Sequence, residues 1–110
     1  MLFRSGTTAF ELKSQLAENV AVIEKTSFSC VKADGFLDAI VHTKRRQIIL
    51  TGMETHICVV QTALDLKQQG YQVFVVEDAV SSRSQTNQDN AIQRMRQAGV
   101  IVTKIGRAHV

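Results

Sequence analysis

Cys58 is the residue in this sequence best placed to do chemistry. It follows the apolar run Gln47-Ile48-Ile49-Leu50-Thr51-Gly52 by a short turn, Gly52-Met53-Glu54-Thr55. There it falls in the first turn of a helical pattern that continues to Gln69. A thiol so placed meets the unpaired N–H groups and the positive end of the helix dipole, and both favour the thiolate. The same N–H groups can hold the oxyanion made when a thiolate attacks a carbonyl. Lys25 closes a second apolar run, Val20-Ala21-Val22-Ile23-Glu24. An ammonium beside the sulfur would favour the thiolate further. Plainer readings stand beside these: Cys58 as a small buried hydrophobe, and Lys25 as a solvated charge at a strand end. Cys30, His42, His56 and Cys58 contain no Cys-x-x-Cys or comparable clustered pair, so no structural zinc site is expected. No glycine-rich phosphate-binding loop follows any apolar run, which removes the dinucleotide and P-loop readings.

The elements that must carry these residues alternate. Thr8-Ala9-Phe10-Glu11 has the spacing of a capping box and opens a helix through Leu12 and Leu16. Val20 to Ile23 reads as a buried strand, Gly35 to Val41 as a short helix, and Gln47 to Gly52 as the next strand. A helix follows from Thr55 to Gln69, with Gly70 where a left-handed C-cap falls. Val73 to Asp78 is a third strand, Thr86 to Ala98 a helix striped by Ala91, Ile92, Met95 and Ala98, and Val100 to Thr103 a fourth strand. Continuously apolar strands between helices predict an α/β fold with a mostly parallel, Rossmann-like sheet between two helical layers. Ligands of such sheets bind beyond the carboxyl ends of the strands. That singles out residues 24–28, 52–58 and 78–83. The chain opens on a helix in this reading, so the sheet is expected to lack a front strand.

Composition narrows the classes. The 110 residues are 45% hydrophobic and 21% charged, with two Cys, which fits one domain and excludes a disulfide-stapled scaffold. No apolar run approaches the ~18 residues of a membrane span, and no secretory signal pattern is seen. A reducing cytoplasm is therefore the expected compartment. The net charge of +3 hints at nucleic acid, but the basic excess sits at the ends. With the codons ATC GGA AGA GCA CAC GTC, the tail Ile105-Gly106-Arg107-Ala108-His109-Val110 has a reverse complement that encodes the opening Leu2-Phe3-Arg4-Ser5. One oligonucleotide, resembling a common sequencing adapter, explains both termini. Residues 1–5 and 105–110 are thus expected to be non-native, leaving a partial domain at 6–104. Without Arg4, Lys104 and Arg107 the charges balance, and the electrostatic case for nucleic acid disappears.

Three motifs carry a resemblance. Glu24-Lys25-Thr26-Ser27-Phe28-Ser29, Thr51-Gly52-Met53-Glu54-Thr55-His56-Ile57-Cys58-Val59 and Gly70 to Ala79 occur in the order found in isochorismatase-like cysteine hydrolases. The resemblance runs from about Thr8 to Thr103. It implies an Asp–Lys–Cys triad in which Lys25 is the lysine and Cys58 the nucleophile. The triad aspartate would lie on the family's first strand, which has no counterpart in this reading. The resemblance also implies a cis peptide at Met53-Glu54, with the N–H groups of Glu54 and Cys58 forming an oxyanion hole. Thr55 and His56 are expected at the pocket mouth, Phe28 and Met53 as apolar walls, and Asp78 as a tie within its own loop. The function expected is hydrolysis of a small molecule, at an amide C–N bond or related electrophile, through a covalent intermediate. No cofactor, metal, nucleic acid or membrane is expected, and the parent is expected to be a homo-oligomer whose fragment is inactive. A non-catalytic α/β binding module with an inert Cys58 is the alternative.

Overall fold

The apolar runs become parallel strands, and helices carry the chain back between them. The structure, a computed structural model, describes residues 2–4 and 22–105. Its elements are β1 (Leu2–Arg4), β2 (Val22–Glu24), a turn of 3-10 helix at Cys30–Lys32, α1 (Phe36–Thr43), β3 (Gln47–Met53), a π-helical turn at Thr55–Val59, α2 (Val60–Gln68), β4 (Gln72–Ser81), α3 (Gln85–Gln97) and β5 (Ile101–Thr103). The helix expected from Thr8 to Leu16 lies outside the described residues, as do Val20 and Ala21.

Strands β3, β4 and β5 form one parallel sheet in that order, with α2 and α3 as the crossovers. Strand β2 pairs with β1, in parallel, and belongs to a separate two-stranded sheet. Two expectations are corrected here. A strand does precede the first expected helix, at Leu2–Arg4, because its backbone pairs with Val22–Glu24. And β2 does not adjoin β3 in one sheet, since its hydrogen bonds go to β1 among the described residues.

The core follows from side-chain alternation. The register sets Ile48 beside Val73, and Leu50 beside Val75 and Val102, on one face. Ala63 and Leu66 of α2 and Ala91, Ile92 and Met95 of α3 cover that face, joined by Phe36 of α1. Leu66 and Met95 are fully buried, each worth roughly 1.5–3 kcal/mol of transfer free energy. On the other face Ile49 remains 69% and Ile101 41% exposed. The second helical layer is not among the described elements.

Two glycines shape the strand ends. Gly70, at φ 94°, closes α2 as expected: its N–H donates to the Lys67 carbonyl and the Tyr71 N–H to that of Leu66. Gly52, at φ 118°, lies where the β3–β4 register jumps from Leu50–Val75 to Gly52–Val80. That jump carries β4 on to Ser81, three residues past the expected end at Asp78.

Candidate active site

The carboxyl end of β3 delivers the thiol. The Glu54 carbonyl accepts from the N–H groups of both Ile57 (3.2 Å) and Val59 (3.1 Å), and the second of these bonds opens a π-helical turn. Such wider turns recur at functional sites. Cys58 sits in this turn, half-buried, just ahead of α2. The peptide Met53–Glu54 is cis.

Lys25 reaches the same point from β2. Its Nζ donates to Cys58 Sγ at 3.5 Å and to the Ser27 carbonyl at 3.0 Å. The two residues singled out by type and spacing are therefore in contact, although their strands lie in different sheets. The loop between them is closely tied. Ser27 Oγ donates to the Ser29 carbonyl at 3.1 Å, and the Val31 N–H to the buried Ser29 Oγ at 3.3 Å. The Cys30 N–H donates to Thr62 Oγ1 at 2.9 Å. Burial pushes the Cys30 thiol up from its ordinary value, while the Thr62 hydrogen bond and the Lys25 ammonium pull the other way.

A second cluster flanks the turn. Glu54 Oε1 lies 3.1 Å from Arg83 Nε, and the Arg83 N–H donates to Glu54 Oε2 at 3.3 Å. His56 Nδ1 lies 2.9 Å from Ser82 Oγ and 3.6 Å from Glu54 Oε2. Both partners approach the same ring nitrogen. The imidazole therefore cannot relay a proton between them, and Ser82 is not the nucleophile of a Ser–His–Glu triad.

The remaining expectations divide. Phe28 and Met53 are largely exposed, at 58% and 61%, Phe28 in the loop after Lys25 and Met53 at the end of β3. His56 keeps part of its ring at the surface while tied to Ser82. Thr55 is corrected: it is fully buried, and its hydroxyl has no hydrogen-bond partner among the described residues. It cannot line a pocket mouth. Thr55, Val59, Thr62 and Leu66 fall at i, i+4, i+7 and i+11, the stripe that α2 buries, and that spacing was the available signal. Asp78 is also corrected: its Oδ1 accepts from the Ile105 N–H at 3.0 Å, fastening the segment after β5 rather than its own loop. Thr62, Ser82 and Arg83 act across the fold on residues more than 25 positions away, which no local pattern reveals.

A cavity of about 570 Å³ lies elsewhere, lined by Arg45, Arg46, Gln47, Ile49 and Phe74. At ~3.3 Å per residue, the seven residues of β3 separate it from the thiol's end of the sheet by roughly 20 Å. Its position, at the amino end of parallel strands, is the wrong one for the chemistry of Cys58.

The family model described as the isochorismatase domain matches residues 2–106. The chain belongs to the isochorismatase family. Among relatives, it is 39% identical over 108 residues to the secreted isochorismatase effector Isc1 of Phytophthora sojae, covering 96% of this chain and 51% of that protein. The MAR1 ribonuclease of Caenorhabditis elegans matches at a TM-score of 0.81 and 44% identity, over 90% of this chain and 50% of the other. The YcaC gene product of Escherichia coli, an octameric hydrolase of unknown specificity, matches at 0.82 and 30%, over 90% and 48%. The chain thus spans about half the length of these relatives. Among the described residues, no helix is long and apolar enough to cross a membrane.

Proposed function

We propose that the protein to which this segment belongs is a cysteine hydrolase acting on a small molecule, with Cys58 as nucleophile. The observation that carries the reading is the 3.5 Å contact between Lys25 Nζ and Cys58 Sγ at the carboxyl ends of two strands. Family membership supports hydrolysis, since members of this family are hydrolytic enzymes. In the proposed step the Cys58 thiolate adds to a carbonyl carbon and the C–O π pair moves to oxygen. The N–H groups of Glu54 and Cys58 hold that oxyanion. Collapse of the intermediate breaks the C–N bond, and the amine leaves with the proton that the Cys58 thiol gave up to the general base. Water then cleaves the thioester, returning the thiol and releasing a carboxylic acid. Lys25 holds the thiolate by its charge. The general base, which takes the Cys58 proton and later a proton from water, is assigned, on the family resemblance, to an aspartate of the whole protein that is not among the aspartates of this chain. Phe28, Met53 and His56 are proposed to border the substrate.

Three further points belong to the same proposal. The isolated chain turns over ~10²–10⁴-fold more slowly than the whole protein, the usual contribution of a general base. The working compartment is a reducing cytoplasm, in keeping with the two free cysteines. The whole protein is a homo-oligomer, in keeping with the octameric relative. The experiment is hydrolysis of a panel of small amides by the chain extended to its relatives' full length, with Cys58→Ala beside it. A loss of roughly 10³-fold or more on substitution is expected. Unchanged turnover would assign the wrong nucleophile. Similarity to a ribonuclease supplies a second reading, so single-stranded RNA belongs in the panel; cleavage of RNA alone would replace the amide reading.

A further inference from the structure

Thr62 lies one helical turn beyond Cys58, and residues four apart on a helix share a side, with Cβ atoms ~5–6 Å apart. Its side chain is buried, and its Oγ1 accepts the Cys30 N–H at 2.9 Å. Cys30 ends the loop that begins at Lys25. That loop's other ties are internal: Lys25 Nζ to the Ser27 carbonyl, Ser27 Oγ to the Ser29 carbonyl, and Val31 N–H to Ser29 Oγ. Strand β2 gives no hydrogen-bonded link to the β3-β4-β5 sheet among the described residues. Among the described residues, two hydrogen bonds therefore join the lysine's loop to the thiol's helix: the Lys25–Cys58 contact and the Cys30–Thr62 bond.

We propose that Thr62 is a positioning residue: by holding the Cys30 N–H, its hydroxyl fixes the Lys25 loop so that the ammonium meets Cys58 Sγ. This rests on the reading of Lys25 and Cys58 as a working pair. Lysine is a flexible point charge whose direct contact with sulfur is long and easily lost. A buried backbone–hydroxyl bond at ordinary N–H···O distance is the firmer tie. Without it, Cys30 keeps a half-buried N–H unpaired, which favours movement of the loop toward water.

The test measures iodoacetamide alkylation of this chain at pH 7, with the Cys58 and Cys30 peptides quantified separately by mass spectrometry. Wild type is compared with Thr62→Val, Thr62→Ala, Thr62→Ser and Lys25→Met, and each variant is melted. Lys25→Met removes the charge 3.5 Å from the sulfur and slows Cys58 by about tenfold. Thr62→Val slows it by about 3–10-fold, partial loss of the same effect, and Thr62→Ser restores it to within about twofold. The sign separates positioning from packing. General loosening exposes both thiols and speeds both, whereas the proposal slows Cys58. Unchanged or faster Cys58 alkylation in Thr62→Val overturns it. So does loss of the cooperative melt in both Thr62→Val and Thr62→Ala, which makes Thr62 a packing residue. If Lys25→Met leaves Cys58 unchanged, the Lys25–Cys58 reading itself fails. If Lys25→Met slows Cys58 and Thr62→Val does not, only the role of Thr62 fails.

Discussion

Cys30 and Cys58 are both half-buried, yet their surroundings differ. Burial raises the Cys30 thiol above its ordinary range, so the folded chain prefers it protonated. Such a group adds stability at pH below the ordinary thiol value, and that stability is lost as pH rises toward the folded one. Wild type should therefore lose melting temperature above about pH 9 more steeply than Cys30→Ser, a difference in slope read from melts at several pH values. Thr55 supports a second expectation. Its hydroxyl is fully buried without a hydrogen-bond partner among the described residues, and a group in that state costs about 1–3 kcal/mol. Thr55→Val keeps the shape and removes the cost, so stability should rise by about 1 kcal/mol in chemical denaturation. A fall in stability would show that the hydroxyl has a partner.

At the scale of elements, α2 and α3 depend on how they begin and end. Ser84 caps α3, its Oγ accepting the Asn87 N–H at 3.3 Å. Ser84→Ala should cost about 1 kcal/mol. Gly70→Ala should cost roughly 1–2 kcal/mol, because the closing residue of α2 has a left-handed φ of 94°. Denaturant midpoints with an unchanged slope would check both. These ends also show what was legible. Gly70, the stripe of α3 and the thiol at a strand–helix joint are local, and local spacing found them. The π-helical turn was not legible as such, because one wider turn leaves the apolar period of Thr55 to Gln69 almost intact. The separation of β2 from β3 was hidden too: a three-residue strand has the same composition whichever neighbour it joins. The contact of Lys25 with Cys58 was predicted and is present, but the ties that steady it, through Cys30 and Thr62, span 32 positions and leave no periodic trace.

Among the described residues, the β3-β4-β5 sheet is covered by helices on one face. Ile49 pairs with Phe74, and Phe74 with Ile101, so three apolar side chains cross the sheet in one row on the face away from α2 and α3. Ile49 is 69% and Ile101 41% exposed, whereas Val75, one residue along and facing the helices, is fully buried. In strands, adjacent residues face opposite ways, so neighbouring substitutions should have opposite consequences. Ile49→Lys removes little buried surface and should change stability by no more than about 0.5 kcal/mol. It also interrupts the bare row with a charge, the means by which sheets resist association. The isolated chain should therefore self-associate less after Ile49→Lys, at an unchanged melting temperature. Val75→Lys would instead bury an unpaired ammonium and abolish the cooperative melt. Sedimentation velocity over a range of concentrations, with thermal melts alongside, measures both effects. Equal self-association of wild type and Ile49→Lys would mean that the row is already covered, and a large loss of stability in Ile49→Lys would mean that it is part of the core.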